Sequence, residues 1–261
     1  MLRLIACDMD GTLLVPETQA VPPETYDLIR GLNQEGILFA ASSGRQLVNL
    51  RHLFAPVDNL VYYICENGAL TAHGGEVTSI TPIPDRWCCQ IIRDMQSFHM
   101  DLLLSAPHYT YVLDENRAFA DDMVYRLRNS AYVIHDTTEI MDPLIKISGH
   151  TSNSMAQAAD YLTQKWQGKV NAVLAGNDWF DITMTNKGTG IKQLCGQLNI
   201  AMHDTAAFGD YYNDLAMLNL VGHPYIMENA PDGMKKPGFT VCRSVPETLE
   251  ALLRQAKEGT L

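Results

Sequence analysis

The sequence predicts an α/β fold, in which a mainly parallel sheet covered by helices is interrupted by a second α/β unit. Three observations predict it. Short apolar runs alternate with amphipathic helical stretches over residues 2–65, the pattern of strands joined by crossover helices. Each of the first three runs ends in polar residues or glycine, where open parallel sheets bind ligands. The pattern then restarts near residue 83 and resumes at Lys187.

The elements follow in order. Residues 2–7 (LRLIAC) form an apolar run that delivers Asp8 at its end. Pro22-Pro23 opens a helix with Tyr26, Leu28, Ile29 and Leu32 facing one way, and Gly36 closes it. Ile37–Ala41 is a second strand ending at Ser42-Ser43-Gly44-Arg45, and a helix follows over 46–54. Leu60–Cys65 is the third strand, ending at Glu66-Asn67-Gly68, and His73-Gly74-Gly75-Glu76 reads as a hairpin turn. Over 83–183, Trp87, Ile91, Ile92, Met95 and Phe98 recur at helical spacing. Strands are predicted at Leu102–Leu104, Tyr109–Leu113, Leu144–Ile147, Val170–Ala175 and Phe180–Thr183, with a helix over 152–166. The first pattern returns with a helix over 188–198, a strand at Ala206–Phe208 and a helix after Asn213. Strands at Tyr225–Met227 and Phe239–Val241 and a helix over 246–257 complete the chain.

At 261 residues, the chain is long enough for one large domain or two modest ones, with a core that needs no staples. Its formal charge of -11 disfavours broad binding to a nucleic acid backbone. An anionic substrate would need local donors and a bound cation. The six cysteines contain no CxxC pair, and Cys7, Cys65 and Cys242 lie in or beside apolar runs, as buried thiols do. No apolar stretch reaches the length of a signal peptide or a membrane span, so a soluble, cytoplasmic protein is expected, monomeric or a small homo-oligomer.

Four polar clusters carry chemical potential. In Asp8-Met9-Asp10-Gly11-Thr12, two carboxylates two residues apart share a side of an extended strand, although a bend after Asp8 would alter that. Close carboxylates repel unless a cation or proton intervenes, and oxygen-rich clusters favour magnesium. Ser42-Ser43-Gly44-Arg45 offers a hydroxyl and backbone N–H groups to phosphate oxygens, but serines before a helix also serve simply as caps. Lys187-Gly188 contains a single lysine, by default a solvated charge. Gly209-Asp210-Tyr211-Tyr212-Asn213-Asp214 places amide and carboxylate groups at a strand end, where turn and helix capping also uses them.

In combination and in this order, the clusters resemble the motifs of the haloacid dehalogenase-like superfamily, most closely its Cof-like branch. DMDGTLL at 8–14 and GDYYNDLAML at 209–218 carry the resemblance; CENGA at 65–69, NKG at 186–188 and the Asn229-Ala230 to Lys235/Lys236 segment support the branch. The resemblance implies a Rossmann-like parallel-sheet core with helices on both faces (1–82 and 184–261) and an inserted α/β cap that sets specificity (83–183). It also implies a magnesium-dependent phosphatase. Asp8 would be the nucleophile forming an aspartyl-phosphate, and Asp10 the general acid and base. Asp8, the Asp10 backbone carbonyl and Asp210 would hold Mg2+, with Asp214 supporting that shell. Ser43 and Lys187 would bind the phosphoryl group, and Asn213 would bond near it or orient Lys187. Ser43 stands where threonine is common, Asn186 where serine is usual, and Arg243-Ser244-Val245-Pro246-Glu247 replaces a glycine-containing acidic loop.

The expected partner is a small phosphorylated metabolite, with relatives of this type acting on sugar phosphates, phosphorylated pyridoxal and pyrimidine pyrophosphates. Gly44, Arg45, Asn67 and Lys146 are further candidates for substrate binding. His108, Tyr109, Tyr111 and Asn177-Asp178-Trp179 are candidates to line the leaving-group pocket, although core packing accounts for such aromatics equally well. A phosphosugar mutase would use the same aspartyl-phosphate chemistry. A non-catalytic phosphometabolite binder would not need the full motif set, and transport coupling would need membrane spans.

Overall fold

The computed structural model describes residues 1–126, 131–151, 155–175 and 178–261. Contacts divide the chain into two compact units, Met1–Ser79 with Asn186–Leu261, and Ile80–Thr185.

The first unit begins with β1 (Leu4–Asp8), α1 (Glu24–Gln34), β2 (Leu38–Ser42), α2 (Leu47–Leu53), β3 (Val61–Cys65) and β4 (Leu70–His73), and β5 (Glu76–Ile80) runs to its border. Every residue of β1 is buried, as expected for a strand covered on both faces. Pro23 precedes α1, Glu24 and Asp27 lie in its first turn, and Gly36 just beyond its end has a positive φ of 77°.

The inserted unit contains α3 (Asp85–Gln96), β6 (Asp101–Ser105), β7 (Thr110–Leu113), α4 (Arg117–Arg126), β8 (Ala131–Ile134), β9 (Lys146–His150), α5 (Met155–Trp166), β10 (Asn171–Leu174) and β11 (Trp179–Thr183). Its six-stranded sheet runs β10-β11-β9-β6-β7-β8. Among the described residues of this unit, only the β7–β8 pairing is parallel. One face packs Leu102, Leu104, Ile147 and Ile182 against Ile91 and Met95 of α3 and Ala158 and Leu162 of α5. On the opposite face, Leu103 and Val112 meet Phe119, Ala120 and Met123 of α4. The antiparallel registers place Ser105, Lys146, Ser148, Asp181 and Thr183 on that same face, as a buried polar patch.

The chain returns to the first unit with α6 (Lys187–Leu198), β12 (Thr205–Gly209), α7 (Leu215–Leu218), β13 (His223–Met227), β14 (Thr240–Cys242) and α8 (Val245–Lys257). The eight-stranded sheet runs β14-β13-β12-β1-β2-β3-β4-β5 and is parallel from β14 to β3. Alternation along β1 sends Leu4 and Ala6 to one face, where they pack with Ile191 and Leu194 of α6 and Met217 of α7. On the other face Phe39, Phe54 and Tyr63 pack ring to ring, and α1 lies against α8. The predicted α/β architecture is thus observed.

Two elements, α4 and β8, are not predicted by the sequence pattern. Asp10 also differs from the extended reading. The chain leaves β1 in a wide turn over Met9–Leu13 that bends at Gly11, φ 79°, so Asp8 is buried while Asp10 is exposed. Of the helix predicted over 152–166, the structure describes α5 from Met155 on.

Candidate active site

Side-by-side parallel strands bring their carboxyl ends together, and the polar clusters sit there. β1 ends at Asp8, which pairs in register with Ser42 of β2; β12 ends at Gly209, ahead of Asp210. Lys187 is the first residue of α6. Its helix is capped by Asn186, whose side chain accepts the Thr189 N–H at 2.9 Å while the Thr189 hydroxyl accepts the Asn186 N–H at 2.9 Å. The asparagine at this position therefore does the work of a cap. A cation at a helix N-terminus opposes the helix dipole, so nearby anions must compensate.

They do. The Lys187 ammonium is buried and donates to Asp8 Oδ1 at 2.5 Å and to Asp214 Oδ1 at 2.6 Å. The other oxygen of Asp214 accepts the backbone N–H groups of Asp210 and Tyr211, both at 3.0 Å. The Thr12 hydroxyl donates to Asp210 Oδ1 at 3.0 Å and lies 3.5 Å from Asp8 Oδ2. Asn229 donates to the Gly11 carbonyl at 2.9 Å and reaches Asp210 Oδ2 at 3.4 Å. Gly11 has φ 79°, and a Cβ there would fall 2.2 Å from Asp210 Oδ2, so a side chain would displace the acid.

Burial pushes the Asp8 carboxyl well above its usual range, and the neighbouring Asp214 charge adds to this against the pull of Lys187. Burial raises Asp210 as well. Burial opposes the charge on Lys187, but the Asp214 and Asp8 carboxylates outweigh it and hold the ammonium above its ordinary value. Three carboxylates with one ammonium leave surplus negative charge. Ligand oxygens of Asp8, Asp210 and Asp214 lie within 4.8 Å of one another, an all-oxygen set that fits a hard divalent cation.

A second constellation lies at Asp10. Arg45 grips its carboxylate as a fork, Nε donating to Oδ2 at 2.9 Å and Nη2 to Oδ1 at 2.5 Å. The Arg45 backbone N–H reaches Ser43 Oγ at 3.2 Å, and its carbonyl accepts the Glu66 N–H at 3.2 Å. Ser43 is buried and its carbonyl accepts the Asn67 N–H at 3.1 Å. Asn67 is buried, left-handed at φ 54°, and its side chain lies beside Gly44. Ser43, Gly44, Arg45 and Asn67 are thus one interlocked pair of loops. Asn213 occupies the partly exposed turn before Asp214.

The remaining candidates belong to the inserted unit. Lys146 lies in its polar patch, 3.8 Å from Asp181 Oδ2, and Ser148 donates to Asp181 Oδ1 at 2.7 Å. Tyr111 donates to Asp142 at 2.5 Å, Tyr109 packs edge-on against Tyr132, and the Asp178 carbonyl accepts the Thr151 N–H. His108 lies edge-on to Tyr109, while Trp179 packs on Phe119 and His150. Asn177 lies outside the described residues. The sequence reading gave no role to Thr12, Asn229 or Gln19, which contact site residues. The signal for Thr12 was its place in DMDGT; Gln19 carries none.

Comparison with known proteins agrees with this geometry. Residues 5–247 match the family of haloacid dehalogenase-like hydrolases. The chain is 26% identical to the HMP-PP phosphatase of Cronobacter sakazakii over 242 residues, covering 88% of this chain and 85% of that protein. It is 24% identical to the 5-amino-6-(5-phospho-D-ribitylamino)uracil phosphatase YbjI of Escherichia coli over 243 residues, covering 88% and 86%. Among solved structures, a haloacid dehalogenase-like hydrolase from Bacteroides thetaiotaomicron superposes with TM-score 0.83 at 18% identity, covering 97% of this chain and 100% of that one. One from B. subtilis gives 0.80 at 22% identity, covering 98% and 99%.

Proposed function

This chain belongs to the haloacid dehalogenase-like hydrolases, in the Cof-like branch with an inserted cap, and is a phosphatase of the aspartate-nucleophile type; we propose that Asp8 is that nucleophile, served by magnesium and by Lys187. The observation that carries the assignment is the buried Asp8–Lys187–Asp214 chain beside Asp210.

Lys187 ties down Asp8 Oδ1, which leaves Oδ2 for attack. In the first step a bond forms from that oxygen to phosphorus, and the bond from phosphorus to the leaving oxygen breaks. Asp10 gives its proton to that oxygen. In the second step Asp10 takes a proton from water as the water oxygen bonds to phosphorus. The bond to Asp8 breaks and phosphate leaves. Lys187 offsets the repulsion between the carboxylate and the phosphate dianion, and Ser43, with Asn213 nearby, holds phosphoryl oxygens. Magnesium held by Asp8, the Asp10 carbonyl and Asp210, with Asp214 behind them, would supply Lewis-acid stabilisation of the transferred oxygens.

The substrate is a small phosphorylated metabolite. We assign leaving-group choice to the inserted unit, where Lys146, Ser148 and Asp181 form a polar patch able to bond hydroxyl or amide groups. Gly44, Arg45 and Asn67 complete the set assigned to the substrate. The HMP-PP and ribitylaminouracil relatives suggest nitrogen-heterocycle phosphates alongside sugar phosphates. Among the described residues no helix is long and apolar enough to cross a membrane. The cysteines are free, which accords with a reducing, cytoplasmic setting. A phosphate-release screen with magnesium over sugar phosphates, nucleotides, pyridoxal phosphate and pyrimidine pyrophosphates tests the reading. Turnover lost in Asp8→Asn is expected; equal turnover in that variant overturns the nucleophile assignment.

A further inference from the structure

We propose that Gln19 is a positioning residue for the reaction: through Arg45 it holds the Asp10 carboxyl where the leaving oxygen must be protonated. The inference rests on the reading of Asp10 as general acid.

The turn after the first motif closes on itself. Val15 and Ala20 form a bridge, the Val15 N–H donating to the Ala20 carbonyl at 3.0 Å, and the Gln19 N–H donates to the Val15 carbonyl at 2.8 Å. Gln19 has φ 52°, a left-handed conformation uncommon for a residue with a side chain. That conformation accompanies a side chain engaged at both ends. Nε2 donates to the Pro16 carbonyl at 3.2 Å, and Oε1 accepts from Arg45 Nη2 at 2.7 Å. The same Nη2 donates to Asp10 at 2.5 Å.

This arrangement addresses a specific difficulty. The Asp10 side chain is about half exposed, at 52%, and stands on a turn outside the sheet, so packing does little to fix its rotamer. Arg45 supplies the fork, but the arginine stem is long and can swing. Its backbone is pinned by Ser43 and Glu66, and Gln19 adds a third point that fixes the guanidinium plane. A guanidinium held from two sides presents two parallel N–H bonds to one carboxylate in one orientation. The fork takes both carboxylate oxygens, so when Asp10 carries the proton it is to donate, one of the two bonds is released. The other, from a guanidinium whose plane Gln19 fixes, keeps that proton within hydrogen-bond reach of the departing oxygen.

Steady-state kinetics on substituted phenyl phosphates, with magnesium, test the proposal on the full chain. The series keeps size nearly constant while the leaving group changes from one that departs readily as an anion to one that needs a proton. The water step that Asp10 serves as base also enters kcat, whereas kcat/KM reports only the steps up to departure of the leaving group. Gln19→Ala is therefore expected to lower kcat/KM about tenfold on phenyl phosphate and less than about twofold on p-nitrophenyl phosphate. The plot of log kcat/KM against leaving-group basicity therefore steepens. Gln19→Glu, which keeps an acceptor for Arg45, should restore the shallow slope. Asp10→Asn serves as the reference and should be steep. If Asp10→Asn is steep while Gln19→Ala falls parallel to the parent, the role for Gln19 is overturned and that of Asp10 stands. If Asp10→Asn itself keeps the parent slope, the general-acid reading fails and the proposal with it.

Discussion

Lys187 and Lys146 are both buried lysines beside aspartate, yet they occupy opposite electrostatic settings. Lys187 stands at the mouth of the parallel sheet, within 2.6 Å of two carboxylates and close to a third. Lys146 stands on the face of the inserted unit's sheet, 3.8 Å from Asp181, whose other oxygen is satisfied by Ser148. The first group carries surplus negative charge, a setting that fits a bound cation. The second sets one charge of each sign side by side. Under the proposed function, catalysis accordingly belongs to the first and discrimination to the second.

Several changes would break or sharpen that contrast. Asp8→Asn should cost at least about a thousandfold in turnover while the circular dichroism spectrum stays native, since shape is kept and the nucleophile lost. Chelation of magnesium should stop phosphate release and readdition restore it. Magnesium should also raise the melting temperature of the parent protein but not that of Asp210→Asn, because a ligand stabilises only the state that binds it. Lys187→Met removes the partner of two buried carboxylates and should destabilise the metal-free fold by about 3–5 kcal/mol in urea titrations. Lys146→Met withdraws the cation 3.8 Å from the buried Asp181 carboxylate, which keeps its Ser148 bond, so its cost should be about 2 kcal/mol, with the larger change in relative KM across substrates.

The smallest effect belongs to an ion pair open to solvent. The Arg51 hydrogen bond, together with Tyr63 and against partial burial, holds the Asp58 carboxyl below its ordinary value. A depressed folded-state value means stability present above the unfolded value of about 3.9 and lost as pH falls through the lower folded one. With Arg51 43% exposed, screening limits the contribution to under about 1 kcal/mol. Asp58→Asn should lose that increment at neutral pH, and the gap to the parent should close in strong acid.

The same contrast explains what the sequence revealed. The motifs around Asp8, Lys187 and Asp210 were legible because each lies at the end of an apolar strand or the start of a helix, where local pattern and chemistry coincide. The Asp10–Arg45–Gln19 contacts were not, because they join exposed turns and depend on the bend over Met9–Leu13, which has no apolar period. In the inserted unit, α4 hides its core residues Phe119, Ala120 and Met123 beside the exposed Val124 and Tyr125, which blurs the helical stripe. β8 is a four-residue edge strand with Tyr132 exposed, too short to show alternation. Register alone gathers Lys146, Ser148 and Asp181 onto one face from two strands. No single segment could show that patch.

The central claim is that phosphorus passes through a covalent bond to Asp8. The most direct test is acid quenching during turnover, reduction of any acyl phosphate with borohydride, and peptide mass spectrometry. The account predicts homoserine at position 8 in the parent protein and none in Asp8→Asn. An enzyme that releases phosphate normally yet yields no modified residue at position 8, or yields it at Asp10 instead, would contradict the account.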